Sequence, residues 1–193
     1  MRRPRRNHGP RGHRLHDRQP PADDRYQGRT PPLSGRESDA PAAAAWASLS
    51  AAPDPVGLYR PFVRFGDVVL LSAISSARDG ELVMGKVGRD LDLEAGRAAA
   101  ARAAENLLAV LLEAAGRDPD RIERLLMVRG YVNAAEDFTQ VHKVIDGASQ
   151  LLIARLGEEK GGHARTALGC AALPNGNAVT LEALAQLRAG NVR

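Results

Sequence analysis

Between Leu93 and Ala115 the chain carries apolar residues at Leu93, Ala100, Ala103, Ala104, Leu107, Leu108, Leu111 and Ala115. This helical spacing presents one apolar face, and Gly116 follows as a stop signal. A helix this long with one greasy side has to bury it against another layer, and the flanking sequence offers strands for that layer. Residues 58–65 (LYRPFVRF) and 67–73 (DVVLLSA) are rich in β-branched and aromatic side chains around Gly66, and predict a hairpin. Asp79-Gly80 marks the next turn, before a short strand near Glu81–Met84.

Past the turn at Asp118-Pro119, Ile122–Val132 has strand composition. A second helix is predicted at about Asp137–Leu156, with Phe138, Val141, Ile145, Ala148 and Leu152 along one side and Gly157 at its end. Gly147 inside it weakens the helix by about 1 kcal/mol relative to alanine. Two final strands, at about Ala164–Ala172 and Ala178–Leu187, are joined through Leu173-Pro174-Asn175-Gly176. The order is βββαβαββ, an α+β fold in which both helices cover one face of a single sheet. Strands such as VVLLSA and RLLMV look apolar on both sides, so the other face also needs cover. A second copy of the sheet is the simplest cover, and a homo-oligomer packed sheet to sheet is expected.

Composition sets the limits of this domain. The chain has 193 residues, 44% of them hydrophobic, which suits one domain, expected over residues 51–190. Residues 1–50 are Pro- and Arg-rich with few aliphatics, and predict a disordered basic tail and linker. Residues 1–45 hold 10 basic and 5 acidic side chains, leaving 17 basic and 18 acidic in residues 46–193. The basic character belongs to the tail, which argues against nucleic acid as the folded domain's partner. The MRRPRRNHGPRGHR start has no apolar core of a signal peptide, and the acids at Asp17, Asp23, Asp24, Glu37 and Asp39 count against a transit peptide. No run of about 18 apolar residues is present, so no membrane span is expected. The single cysteine, Cys170, fits a reducing cytoplasm.

No phosphate-binding glycine loop, carboxylate pair or Ser-His-Asp pattern stands out. Gly85-Lys86-Val87-Gly88 is too short for a phosphate loop and reads as a turn. His142 on the second helix and His163 in a loop read as solvent-facing or hydrogen-bonded histidines before catalytic ones, and Cys170 as a small buried side chain. Arg165 is different. It follows a glycine-rich loop at the mouth of an apolar strand, where a permanent charge needs a partner: either a surface ion pair or a carboxylate ligand held bidentately.

The segment HARTALGCAALPNGNAVTLEALAQL resembles the C-terminal strand pair of the Rid family, also called YjgF or endoribonuclease L-PSP-like. GRDLDLEAGRAAAARAAENLLAVL, RGYVNAAEDFTQ, DGASQLL and PVGLYRPFVRFGD extend the resemblance over about residues 55–188. It implies a chorismate-mutase-like fold and a homotrimer with clefts between subunits. The implied activity is hydrolysis of enamines or imines such as 2-aminoacrylate to 2-oxoacids and ammonia, with no metal or organic cofactor. The family arginine that binds the substrate carboxylate lies in an A-R-[ST] context, matched by Ala164-Arg165-Thr166. The cleft tyrosine is matched by Tyr59 in Gly57-Leu58-Tyr59, which reads equally as an ordinary strand aromatic.

The departures from the family pattern concern turnover. Thr180 stands where the family has the glutamate that positions the attacking water, and a threonine hydroxyl can hold water but not act as a base near neutral pH. Glu182 keeps the next acidic position, two residues along on the same face. Ser72-Ala73-Ile74 replaces the usual S-G-Q, Asp146 replaces the second-helix asparagine, and Ala167 stands where cysteine is common. The expected reading is an imine hydrolase in which Arg165 anchors the carboxylate, Tyr59 shapes the cleft with Ala167 and Asp146, and Thr180 holds the water. The alternative is a non-catalytic module binding a small carboxylate metabolite. RNA cleavage, implied by the older family name, has little support from a folded part with a net charge of −1.

Overall fold

The computed structural model describes residues 46, 49, 51–78 and 80–188. The tail expected over residues 1–50 therefore lies outside the described residues apart from Trp46 and Leu49. Both of these pack against the core, although composition assigns them to the linker.

Strands β1 (Phe62–Phe65) and β2 (Val68–Ser75) form the expected hairpin, with Gly66 taking the positive φ of 62° that the turn requires. Helix α1 (Leu93–Ala114) follows, capped by the Asp92 side chain, which accepts from the Ala95 N–H at 2.7 Å. Then come β3 (Ile122–Asn133), α2 (Val141–Gly161), β4 (Ala164–Cys170) and β5 (Val179–Leu187). The strand order in the sheet is β1-β2-β5-β3-β4. β3 and β4 run parallel because a helical crossover joins them, and all other pairs are antiparallel. Helix α1 packs over β2 and β5, and α2 over β3 and β4, so both helices share one face.

One expected strand is absent. Residues 81–84 make only isolated bridges, Arg78 with Glu81 and Met84 with Asn177, so the order is ββαβαββ. Gly80 (φ 79°) and Gly85 (φ 119°) turn the chain at either end, and the segment's ties to the region before β5 are the Ala178 N–H to the Val83 carbonyl and the Gly85 N–H to that of Gly176. In α2, Gly157 takes a non-helical φ of 78° and interrupts the helix where the sequence predicts its end, and one further turn continues to Gly161.

The core is mostly buried leucine, valine and alanine: Leu107, Leu108 and Leu111 of α1 share one cluster with Leu125, Val128, Leu181 and Ala185 of the sheet. Gly147, a cost to helix propensity, has a packing reason. A Cβ there would collide with the Arg97 carbonyl of α1, and one at Gly130 of β3 would collide with Ile145 of α2. These two glycines let α2 close on both the helix and the sheet beside it.

Register assigns each strand residue to a face. Val128, Gly130 and Val132 of β3 point toward the helices, with Ala183, Leu181 and Val179 of β5 beside them. Met127, Arg129 and Tyr131 point the other way, beside Leu184, Glu182 and Thr180. A shift in β2 between Leu71 and Ile74 falls on the Ser72-Ala73 positions. On the helix-free face Val63, Phe65, Leu70 and Leu168 remain 54%, 81%, 45% and 49% exposed.

Candidate functional site

Arg165 is the second residue of the edge strand β4, in register with Val128, so it rises on the helix side of the sheet beside α2. Asp146 and Ser149 are three residues apart on that helix and share one face. The Arg165 Nη1 donates to Asp146 Oδ1 at 2.7 Å and to Ser149 Oγ at 3.2 Å. The pair is partly open to solvent, with 28% of the arginine side chain and 38% of the aspartate exposed. Among the described residues, Arg165 Nε and Nη2 make no hydrogen bond. These two nitrogens form the side-on edge of the guanidinium, the geometry that grips a carboxylate with two parallel N–H bonds.

Behind this contact lies His163, in the turn between α2 and β4. Its Nδ1 is 2.6 Å from the Gly161 carbonyl and its Nε2 is 3.1 Å from Ser149 Oγ. Burial pushes the imidazole pKa below its ordinary value; the bond to Gly161 opposes this and the Arg165 charge adds to it. His163 is therefore neutral near pH 7. His142 lies exposed on α2.

The structure brings Arg165, Asp146 and, two residues along the same face of β4, Ala167 to one place. It does not bring Thr180 there. Thr180 is nearly buried on the helix-free face, paired with Ser75 and Tyr131, two strands away from β4. Tyr59 precedes β1, at the opposite edge of the sheet, and is exposed. Glu182 accepts from Arg129 Nη1 at 2.7 Å and also from Tyr131. The Tyr131 hydroxyl pKa is raised by burial first and then by this bond and the carboxylate charge. Sequence reasoning passed over Ser149. Its spacing of three from Asp146 on a helix facing Arg165 was the available signal.

An open depression of about 890 Å³ lies at the far end of β4, lined by Lys86, Arg89, Glu136, Asp137, Phe138 and Cys170 among others. Its cations are engaged: Lys86 Nζ donates to Asn133 Oδ1 at 2.8 Å and to the carbonyls of Ala134 and Ala171, and Arg89 pairs with Asp90 at 2.8 Å. The turn that the sequence predicts at Gly85–Gly88 lies further along, at Gly88–Asp90, because Val87 bridges Leu91 and Ala134. Among the described residues no cluster of His, Cys, Asp and Glu could hold a metal ion, and no helix is long and apolar enough to cross a membrane.

The model of the family described as Endoribonuclease L-PSP matches residues 49–187. Protein TCP17 of Trypanosoma cruzi is 36% identical over 140 residues, which cover 72% of this chain and 87% of that protein. Among solved structures, protein Atu1372 of Agrobacterium tumefaciens, of unknown function, is 34% identical with a TM-score of 0.68, covering 75% of this chain and 91% of its own. A candidate endoribonuclease from Shewanella oneidensis is 28% identical with a TM-score of 0.70, covering 75% and 95%.

Proposed function

Because the chain belongs to the endoribonuclease L-PSP family, also called Rid or YjgF, we propose that it hydrolyses small 2-imino and 2-enamino acids to 2-oxoacids and ammonia. Arg165 holds the substrate carboxylate in a cleft that other copies of the chain complete. The observation that carries this reading is the state of the guanidinium. One nitrogen serves both Asp146 and Ser149, while the side-on edge has no protein partner among the described residues.

Exposed Val63, Phe65, Leu70 and Leu168 on the helix-free face support sheet-to-sheet assembly, with a homotrimer as the expected form. Assembly also gives Tyr59 and Thr180 a route to the cleft, since each lies away from Arg165 within one protomer. The test is release of 2-oxoacid from enzymatically generated 2-aminoacrylate and from a wider imino-acid panel. Accelerated release by the purified protein, lost in Arg165→Ala, is the expected result; no acceleration on any member of the panel refutes it.

A second reading, carboxylate binding without turnover, is favoured by Thr180, which brings no carboxylate to the family's water-positioning place. Thermal shifts with 2-oxoacids that depend on Arg165, in a protein that turns over none of the panel, would establish it.

A further inference from the structure

We infer that Ser149 and His163 form a proton relay beside the Arg165 anchor, in which Ser149 passes a proton from the attacking water to His163 and His163 delivers it to the departing nitrogen. The inference rests on the imine-hydrolase reading above and supplies the base that Thr180 cannot be.

The hydrogen bonds fix the direction of the relay. A carbonyl only accepts, so the 2.6 Å contact with the Gly161 oxygen puts the imidazole proton on Nδ1. The Nε2 lone pair then faces Ser149 Oγ at 3.1 Å, and the serine O–H donates to it. Arg165 Nη1 donates to the same oxygen at 3.2 Å. A hydroxyl has one donor and two acceptor positions. The donor goes to His163, one acceptor to Arg165, and one acceptor is left for the proton of a water beside the anchored carboxylate. Base, hydroxyl and orienting carbonyl follow the logic by which enzymes activate a hydroxyl through histidine. The charged groups around the pair are Arg165 and, through it, Asp146. Burial keeps the imidazole neutral and able to accept.

The reaction closes without a further reactant. Water adds to the carbon of the protonated imine as one of its protons moves through Ser149 to His163, which leaves a carbinolamine and an imidazolium. The imidazolium returns that proton to the amino nitrogen. The C–N bond breaks as the carbinolamine hydroxyl gives up its proton, which leaves with ammonia as ammonium and yields the 2-oxoacid. His163 acts through Ser149, so it is a positioning and proton-holding residue.

The experiment is the pH dependence of kcat and KM for the full chain and for Ser149→Ala, Ser149→Thr, His163→Gln and Arg165→Lys, on the imino acid that the wild type turns over fastest. Ser149→Ala and His163→Gln are expected to lower kcat by about 100-fold or more with KM little changed, and to abolish the fall in rate on the acid side. Ser149→Thr, which keeps a hydroxyl, is expected to restore most of kcat, and Arg165→Lys to act mainly on KM. Wild-type kcat and an unchanged acid limb in both Ser149→Ala and His163→Gln would overturn the relay while leaving the hydrolase reading intact; an inert wild type would overturn both. If a variant fails to fold, long-range ¹⁵N–¹H spectra of wild-type His163 decide. A neutral ring protonated at Nδ1 at pH 7 is expected, and a charged or Nε2-protonated ring would overturn the relay.

Discussion

Arg165 and Thr180 lie on opposite faces of one sheet: Arg165 is in register with buried Val128, and Thr180 with Tyr131, three residues further along β3. Side chains on a regular strand alternate, so an odd separation places the two on different sides. A water held by Thr180 can therefore meet a ligand on Arg165 only where copies of the chain abut, whereas Ser149 reaches Arg165 directly, and His163 through Ser149, within one protomer.

Replacing Arg165 by lysine keeps the charge and removes the fork. A charge-assisted hydrogen-bonded pair contributes about 1.5–3 kcal/mol, so 2-oxoacid affinity is expected to fall about 10- to 100-fold. Isothermal titration calorimetry measures this directly, and equal affinity in Arg165→Lys would mean that bidentate geometry is not used.

Asp146 competes with any carboxylate for the same guanidinium, at 2.7 Å from Nη1. Asp146→Asn is expected to tighten 2-oxoacid binding by up to about five-fold, because a partly exposed ion pair contributes about 0–1 kcal/mol. The same calorimetry checks it; weaker binding in Asp146→Asn would show that the aspartate orients Arg165 more than it blocks it.

Gly147→Ala sets helix propensity against packing. Alanine favours the helix by about 1 kcal/mol, but its Cβ would collide with the Arg97 backbone, and such overpacking costs about 1–3 kcal/mol. A net loss of stability is expected in urea unfolding. A more stable Gly147→Ala protein would mean that α1 and α2 can separate at little cost.

Gly147 illustrates what was legible in the sequence and what was not. The helices and the five strands of the sheet follow from periodicities that the chain displays openly, and Arg165 stands out because a permanent charge beside an apolar strand needs a partner. The segment 81–84 has strand-like residues, yet it pairs at isolated points, since pairing depends on a neighbour that local composition does not reveal. Gly147 reads locally as a defect because the Arg97 carbonyl that requires it lies fifty residues away. His163 reads from sequence as a hydrogen-bonded histidine, and it is one; that its partner is a serine also held by Arg165 is a fact of the fold alone.

His163 also ties stability to acidity. Its pKa is lowered in the folded chain, chiefly by burial, so the unfolded state takes up the proton first as pH falls. Its stabilising contribution is complete above the unfolded value of about 6.5 and is lost as pH falls through the lower folded value. Thermal melts from pH 7 downward are expected to show a decline in Tm that is smaller in His163→Gln. Parallel declines in the two proteins would assign the acid sensitivity to other groups.

Finally, β4 is hydrogen-bonded to one described neighbour, β3, so a single set of backbone bonds decides which way Arg165 faces. A slip by one residue would turn Arg165 away from Asp146 and Ser149 and bring Thr166 round in its place. Such a chain would keep its helices and most of its core and still lack the carboxylate anchor proposed above. Loss of function in this protein can thus arise as an error of alignment during folding, with every residue intact and almost all of them correctly placed.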